Sequence, residues 1–388
     1  TAEDARSGYW QAVEPRYSLR DAGDPRGAAV TLEQVNTPVQ SKADEMLLQL
    51  ASEHGLHVSL RATSAPEWEQ VLQQAAYVPV FYSQAMIDYQ GAYYSGQGSA
   101  WQDCSLVLFN DRKPCAVWPL SLALDGQQWR LSSAGDAILG PLFSQRLSNK
   151  SIKSLVAGCN SFLNAFAAQM GCDILRQEAF RDSVGLSEWY LRAVQEARPK
   201  AIRHDLYIDL RPDLNEIRGH FRKSYKPLIS SGERLWQVAV CRDYEPAVWD
   251  EFRLLHLAVA GRATRSLQSW DAQLQAIAAQ AAFLVYLRDP DGRMVGGGLF
   301  HISRDEGLYA VAAYDRALFN KPLGHVVQYQ AILEMKNRHL RWYKLGSRVF
   351  PVDEPPPSAK ELSIAEFKQG FASHVFPRIE LYKACNQA

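Results

Sequence analysis

Between Ala282 and Phe371 the apolar and polar positions alternate in short runs of different phase. AFLVYLR and GRMVGGGLFHIS are largely apolar and flank the polar turn Asp289-Pro290-Asp291-Gly292, which reads as two strands joined tightly. GLYAVAAYD reads as a third strand, and LGHVVQYQAILEMKNRHL as a helix with glycine in its first turn. RWYKLGSRVF supplies a fourth strand ending in Gly346, and FKQGF a tail. In that order the pattern predicts an antiparallel meander that passes through a helix into a parallel-like step. At such a switch a sheet can splay and leave an opening between strands.

Upstream, the first 30 or so residues lack periodicity and read as an extended lead-in. Met46, Leu47, Leu48 and Leu50 mark a short helix N-capped at Ser41, ahead of the strand LHVSLRA. Pro66-Glu67-Trp68 opens another helix, with Trp68, Val71, Leu72 and Ala75 on one face. CSLVLFN and PCAVWPLSLAL enclose the polar turn Asp111-Arg112-Lys113 as a hairpin, and QWRLSSAG follows as a strand. Leu155, Val156, Cys159, Phe162, Leu163 and Phe166 recur at helical spacing. CDILRQEAF and HDLYIDLR read as strands either side of a helix around SEWYLRAVQEA. IRGHFRKSYKPLISSGERLWQVAV then reads as a basic helix, a break at Ser230-Ser231-Gly232, and a strand.

Residues 67–180 and 245–346 share one order of elements: helical lead, hairpin, further strand, helix, closing strand. With 388 residues, room for about two cores, this implies two related α/β domains joined near residues 200–215. We expect a lead-in with a short helix and strand over 1–60, a first domain over 61–210 and a second over 211–388. Formal net charge is zero, so no global charge marks a binder of nucleic acid or membranes. The six cysteines are scattered, without metal spacing, which points to free thiols and no metal site. Apolar runs such as AVWPLSLAL fall far short of the roughly 20 residues of a membrane helix, and the polar N-terminus lacks a signal h-region. The expected location is the cytoplasm.

Several of these stretches together resemble the FemAB-related branch of the GNAT superfamily, whose members carry two GNAT-like domains in tandem. The resemblance is carried by VWPL at 117–120, HFRKSYKPLISSGE at 220–233, GRMVGGGLF at 292–300, YAVAAYD at 309–315, LGHVVQYQAI at 323–332, LG at 345–346 and FKQGF at 367–371. It implies a mixed α/β (α+β) fold and transfer of an acyl or aminoacyl group to an amine. The co-substrate would be acyl-CoA or aminoacyl-tRNA, with no permanently bound cofactor. Two departures stand out. The signature R/Q-x-x-G-x-G/A of acetyl-CoA enzymes is replaced by Lys321-Pro322-Leu323-Gly324-His325, and Lys344 stands where relatives often carry an acid.

Acyl transfer requires a neutral amine, donors for the carbonyl oxyanion and a proton for the leaving group. Leu323, Gly324 and His325 open a helix whose free N–H groups and positive dipole end suit a phosphate or oxyanion, making them the donor-binding candidates. His301 and Asp315 are candidate bases and Tyr314 a candidate acid. Strand alternation puts Tyr309 and Ala313 on one face, Tyr314 with Ala312 and Ala310 on the other. The glycines at 296–298 signal close approach by another backbone or a ligand. The basic stretch 216–234, with Arg218, Arg222, Lys223 and Tyr225, suits a phosphorylated substrate. Arg262 and Arg265 interrupt an apolar helix where a cleft-shaping loop would lie, and Lys368 can aim its ammonium at the cleft.

These candidates describe an N-acyltransferase working by direct transfer in a ternary complex, since no cysteine stands with a His or Asp partner as a covalent nucleophile needs. The reacting carbonyl is expected between the strand ending near Asp315 and the helix start at Gly324. The resemblance points to a small-molecule or nucleotide-linked acceptor, an amino group of an amino sugar or cell-envelope precursor. One alternative is an aminoacyl-tRNA-dependent ligase with tRNA as a partner. Another is a GNAT-fold protein that binds without catalysis.

Overall fold

The computed structural model describes residues 37–98, 100–125 and 128–385; the expected lead-in before residue 37 lies outside them. The first half comprises α1 (Thr37–Glu53), β1 (His57–Leu60), α2 (Ala65–Gln74), α3 (Gln84–Ser95), β2 (Ala100–Asp103), β3 (Leu106–Asn110), β4 (Lys113–Trp118), β5 (Ser121–Asp125), β6 (Gln128–Ser132), β7 (Leu142–Phe143), α4 (Asn149–Met170), β8 (Ile174–Arg176) and α5 (Glu188–Glu196). The second comprises β9 (Arg198–Asp209), α6 (Leu214–His220), α7 (Tyr225–Leu235), β10 (Gln237–Cys241), α8 (Pro246–Ala260), α9 (Leu267–Ala278), β11 (Ala282–Arg288), β12 (Met294–Ile302), β13 (Glu306–Tyr314), α10 (Gly324–Asn337), β14 (Trp342–Arg348), α11 (Ala359–Gln369) and β15 (His374–Lys383).

In the first half β1-β3-β4-β7 form one sheet and β2-β5-β6 another. The β3–β4 hairpin turns through Asp111 and Arg112, both at positive φ, as a two-residue turn requires. Val156, Cys159, Phe162, Leu163 and Phe166 of α4 are buried against this sheet system. Helix α1 starts four residues before Ser41, with Pro38 in its first turn, so Ser41 is not its cap.

The second half is built on an eight-stranded sheet in the order β10-β11-β12-β13-β14-β9-β15-β8. Strands β11 to β13 form the expected antiparallel meander, β10 pairs antiparallel with β11, and β13 pairs parallel with β14. Strand β9 is hydrogen-bonded to both β14 and β15, and β8 of the first half pairs with β15 at the edge. One face of the sheet packs on α7, α10 and α11, the other on α8 and α9.

The basic stretch is not one helix. It divides into α6 and α7 at Phe221–Ser224, and Pro227 sits in the first turn of α7, where its missing N–H costs nothing. Ser230-Ser231-Gly232 continues α7 rather than breaking it. A Cβ at Gly232 would lie 2.2 Å from Val326 Cγ2 and 2.8 Å from the Pro322 carbonyl oxygen, so the small residues let α7 reach the start of α10. Glycines 296–298 likewise admit packing: Gly296 faces the Tyr314 ring, Gly297 the Phe252 ring and Gly298 the Val327 side chain.

The halves meet through the turn before β13. The Arg304 guanidinium donates to the carbonyls of Leu72, Gln73 and Ala75, closing the C-terminus of α2. Asp305 accepts from the Val78 N–H, Glu306 from the Tyr77 hydroxyl and the Val80 N–H, and Arg341 donates to the Ala76 carbonyl. Among the described residues, no helix is long and apolar enough to cross a membrane.

Candidate functional site

Strands β13 and β14 are paired over three positions only: Glu306–Trp342, Gly307–Tyr343 and Leu308–Lys344. Beyond Leu308, β13 stays with β12 while β14 follows β9, so their facing edges part. Each strand also bulges at the parting. Ala310 is skipped between Tyr309 and Val311 in the pairing with β12, and Leu345 between Lys344 and Gly346 in the pairing with β9. Bulges bend a strand and re-aim its side chains. The backbone groups of such an edge need partners, and an extended arm carrying amides can supply them.

The Ala310 bulge changes the expected alternation. Tyr309 and Tyr314 fall on the same face, their hydroxyls 3.3 Å apart, while Val311 and Ala313 face the other way. Beneath the parting strands the Tyr343 hydroxyl donates to Gln328 Oε1 at 2.5 Å, and Tyr309 joins Tyr314 to Gln328. The Lys368 ammonium lies 5.3 Å from the Tyr309 ring centroid. All five side chains are essentially buried. Burial pushes the three phenols up, so each is a hydroxyl donor at neutral pH. The same desolvation pushes Lys368 down to about 8, leaving it largely protonated yet easily deprotonated.

The open end of this parting leads toward the start of α10, where Leu323 is the N-cap residue and Gly324 the first helical residue. His325 packs on Tyr225 and Phe367, at 4.6 and 5.0 Å between ring centroids. Burial, reinforced by the Arg222 guanidinium, pushes its imidazole down to about 4, so it is neutral. Gly370 leaves room for the Tyr225 ring, whose hydroxyl donates to the Phe367 carbonyl. Arg222 stacks on Tyr225, and both Arg222 and Lys223 are exposed. Arg218 instead donates to the Tyr329 hydroxyl and stacks on that ring. Arg222→Ala/Lys223→Ala is expected to weaken binding of an anion such as CoA about tenfold at low salt and to flatten its salt dependence. Calorimetric titrations at two salt concentrations check this; equal binding by parent and variant would leave these cations a solvated face.

On the opposite face of the sheet a cleft runs between the halves. Its inner end is a cavity of about 30 Å³ walled by Asp136, Glu178, Asp205, Glu306, Lys344 and Arg378, with Phe81 and Tyr207. It shares Pro79, Glu178, Ala179 and Phe180 with a wider groove of about 560 Å³. Lys344 donates to Asp205 at 2.9 Å and Arg378 to the same oxygen at 3.1 Å. The unusual charge of Lys344 is thereby matched on the neighbouring strand.

No family model matches the chain, and no curated protein does. Solved structures do. FemX is 12% identical, over 80% of this chain and 97% of its own, at a TM-score of 0.58. L-PGS from Bacillus licheniformis is 14% identical, over 83% and 92%, at 0.52. The C-terminal domain of a putative lysylphosphatidylglycerol synthetase from Agrobacterium fabrum is 15% identical, over 89% and 94%, also at 0.52. The chain shares its fold with FemX. The FemAB-related resemblance carried by the sequence motifs therefore holds at the level of fold.

Within this FemX-like frame the three residues read as catalytic do not converge. Tyr314 lies in the buried hydroxyl chain. His301 is on the other face, fully buried against Tyr89, and burial, with Arg265 nearby, pushes it down to about 4. Asp315 pairs with Arg293 at 2.9 Å and caps the turn Arg316–Leu318. Arg262 is exposed in the loop between α8 and α9, and Arg265 stacks on Trp270. Sequence reasoning missed Gln328, Tyr343 and Glu306. The acid pair Asp305-Glu306 at the mouth of an apolar strand was the available signal for the last of these.

Proposed function

We propose that this protein is an acyltransferase that moves an acyl or aminoacyl group from an activated donor to an amino group by direct transfer. The observation that carries the reading is the parting of β13 from β14 directly above a buried chain of hydroxyls and one buried ammonium. An extended donor arm fits the unpaired edge of β13, its anionic end toward Gly324, His325 and Arg222. Its carbonyl then comes to the apex at Leu308 and Lys344. Lys368 and the Tyr309–Tyr314 pair supply the positive charge and the O–H donors that a developing oxyanion and a leaving group need. The donor is acyl-CoA or aminoacyl-tRNA, and the acceptor an amine of an amino sugar or envelope precursor in the cleft between the halves. The exposed Arg222 and Lys223 favour a donor carrying phosphates, and tRNA satisfies that as CoA does.

The test is amide formation with panels of acyl-CoA and aminoacyl-tRNA donors and amine acceptors, followed by mass spectrometry. Tyr314→Phe is expected to lower turnover about 100-fold with affinities retained, and Gly324→Val to weaken donor binding. Full turnover in the first and intact donor affinity in the second would place the chemistry elsewhere.

A further inference from the structure

The inner cavity of the cleft differs from its surroundings in size, charge and position. Its volume of about 30 Å³ exceeds the ~10–15 Å³ that one water needs on the same measure, so it admits a head group the size of an ammonium and little more. The groove of about 560 Å³ that shares four of its residues has room for a larger body, and Tyr77, Tyr82, Phe143 and Phe180 give it aromatic walls. Four carboxylates face two cations in the inner cavity. Both cations are engaged by Asp205, and Arg378 also lies 3.7 Å from Asp136 and from Glu380. Glu178 is held by the Ser187 N–H and hydroxyl, with Arg181 at 3.6 Å.

Glu306 is different. It is 1% exposed, and its oxygens receive neutral donors only, the Tyr77 hydroxyl at 2.7 Å and the Val80 N–H at 3.2 Å. No cation lies within ion-pair distance of it among the described residues, so its charge is the one in this wall left without a counterion. Burial pushes its carboxyl up to about 7, with Lys344, Tyr77 and the Val80 N–H pulling the other way. The position is as telling as the charge. Lys344, in the cavity wall, is the last residue of β14 paired with β13, so the cavity adjoins the apex where the strands part.

We propose that this inner cavity is the seat of a primary ammonium group on the acceptor, and that Glu306 is its counterion and takes its proton. The proposal rests on the acyl-transfer reading and names the acceptor class for it: a primary amine on a body broad enough for the aromatic groove. The ammonium gives one proton to the Glu306 carboxylate, and the freed nitrogen attacks the donor carbonyl at the apex. A C–N bond forms as the C–S or C–O bond to the carrier breaks. The second nitrogen proton leaves with the carrier thiol or hydroxyl, and the first passes from Glu306 to solvent. No oxidant or further co-reactant is needed.

Binding of phenethylamine to the full chain, followed by calorimetry, tests the seat without any turnover. The amine is expected to bind in the millimolar range, while its N-acetyl derivative, which carries no charge, does not. Affinity should rise as pH passes upward through about 7, where Glu306 ionises and the amine is still a cation. Glu306→Gln should weaken binding about tenfold and abolish the rise with pH. Lys344→Met, which removes a cation from the wall, should tighten it. Equal binding of the amine and its acetyl derivative, no binding of the amine at 10 mM (roughly the weakest affinity a paired ammonium would show), or an affinity that is flat from pH 6 to 8 in the parent overturns the proposal, whether or not Glu306→Gln folds. Amine binding without acyl transfer from any donor would instead overturn the functional reading and leave the ammonium seat standing.

Discussion

Gly232→Val is expected to destabilise the protein by about 3 kcal/mol or more, because the added atoms have nowhere to go. The first of them, the Cβ, would meet the Val326 methyl at 2.2 Å and the Pro322 carbonyl oxygen at 2.8 Å. A side chain can rotate away from such a clash, but the Pro322 oxygen is backbone and accepts the Trp236 indole N–H at 3.0 Å. Relief therefore requires α7 to move off α10, which opens the core shared by Ile229, Trp236, Leu323 and Val326. Thermal unfolding should show a Tm lowered by about 4 °C or more. Gly219→Ala in α6 provides the contrast. Nothing lies within 4 Å of its added methyl, so helix propensity alone predicts a gain of about 0.5–1 kcal/mol. A Gly232→Val protein as stable as the parent would show that the α7–α10 contact is not close.

The same glycine shows where the sequence was legible and where it was not. Strand and helix existence follows from local patterning, so the meander β11–β13, the crossing helix α10 and the parallel return β14 were all readable in order. Whether Ser-Ser-Gly ends a helix or lets it touch another depends on what lies opposite, and that is tertiary information. Tyr309 and Tyr314 make the point at the site itself. Period-two alternation separates them, and only a bulge at Ala310, set by pairing with β12, returns them to one face. Lys368 could be singled out from FKQGF, yet its burial against Tyr309 comes from the fold of α11 onto the sheet. Glu306 went unread because its meaning lies in Tyr77 and Val80, more than 220 residues away along the chain. His301 shows the converse: a histidine beside a glycine-rich strand reads as a base, but the face it occupies packs it away from the parting strands.

Lys368→Met is expected to stabilise the protein while lowering its turnover, two effects of opposite sign from one ammonium. Burial moves the Lys368 pKa from 10.5 down to about 8, so the folded state resists carrying this charge. The difference corresponds to about 3 kcal/mol of instability wherever the lysine is protonated in both states. Between about 8 and 10.5 the unfolded chain holds more protons at this group than the folded one, so parent stability rises with pH across that window. Below about 8 the cost is present in full, and above 10.5 it is gone. Methionine has nearly the same length and no charge, fills the space beside Tyr309, and removes the cost at every pH. Denaturant unfolding at pH 7 and pH 10 should therefore show the variant ahead of the parent by a few kcal/mol at the lower pH and by much less at the higher. If Lys368 serves the proposed transfer, turnover is expected to fall about 100-fold or more, because the developing oxyanion loses a buried cation. A variant that is both stable and fully active would show that the ammonium is a structural accident. One destabilised at pH 7 would show that Lys368 holds a contact in the core worth more than its desolvation, and that the buried charge beneath the parting strands is not free for chemistry.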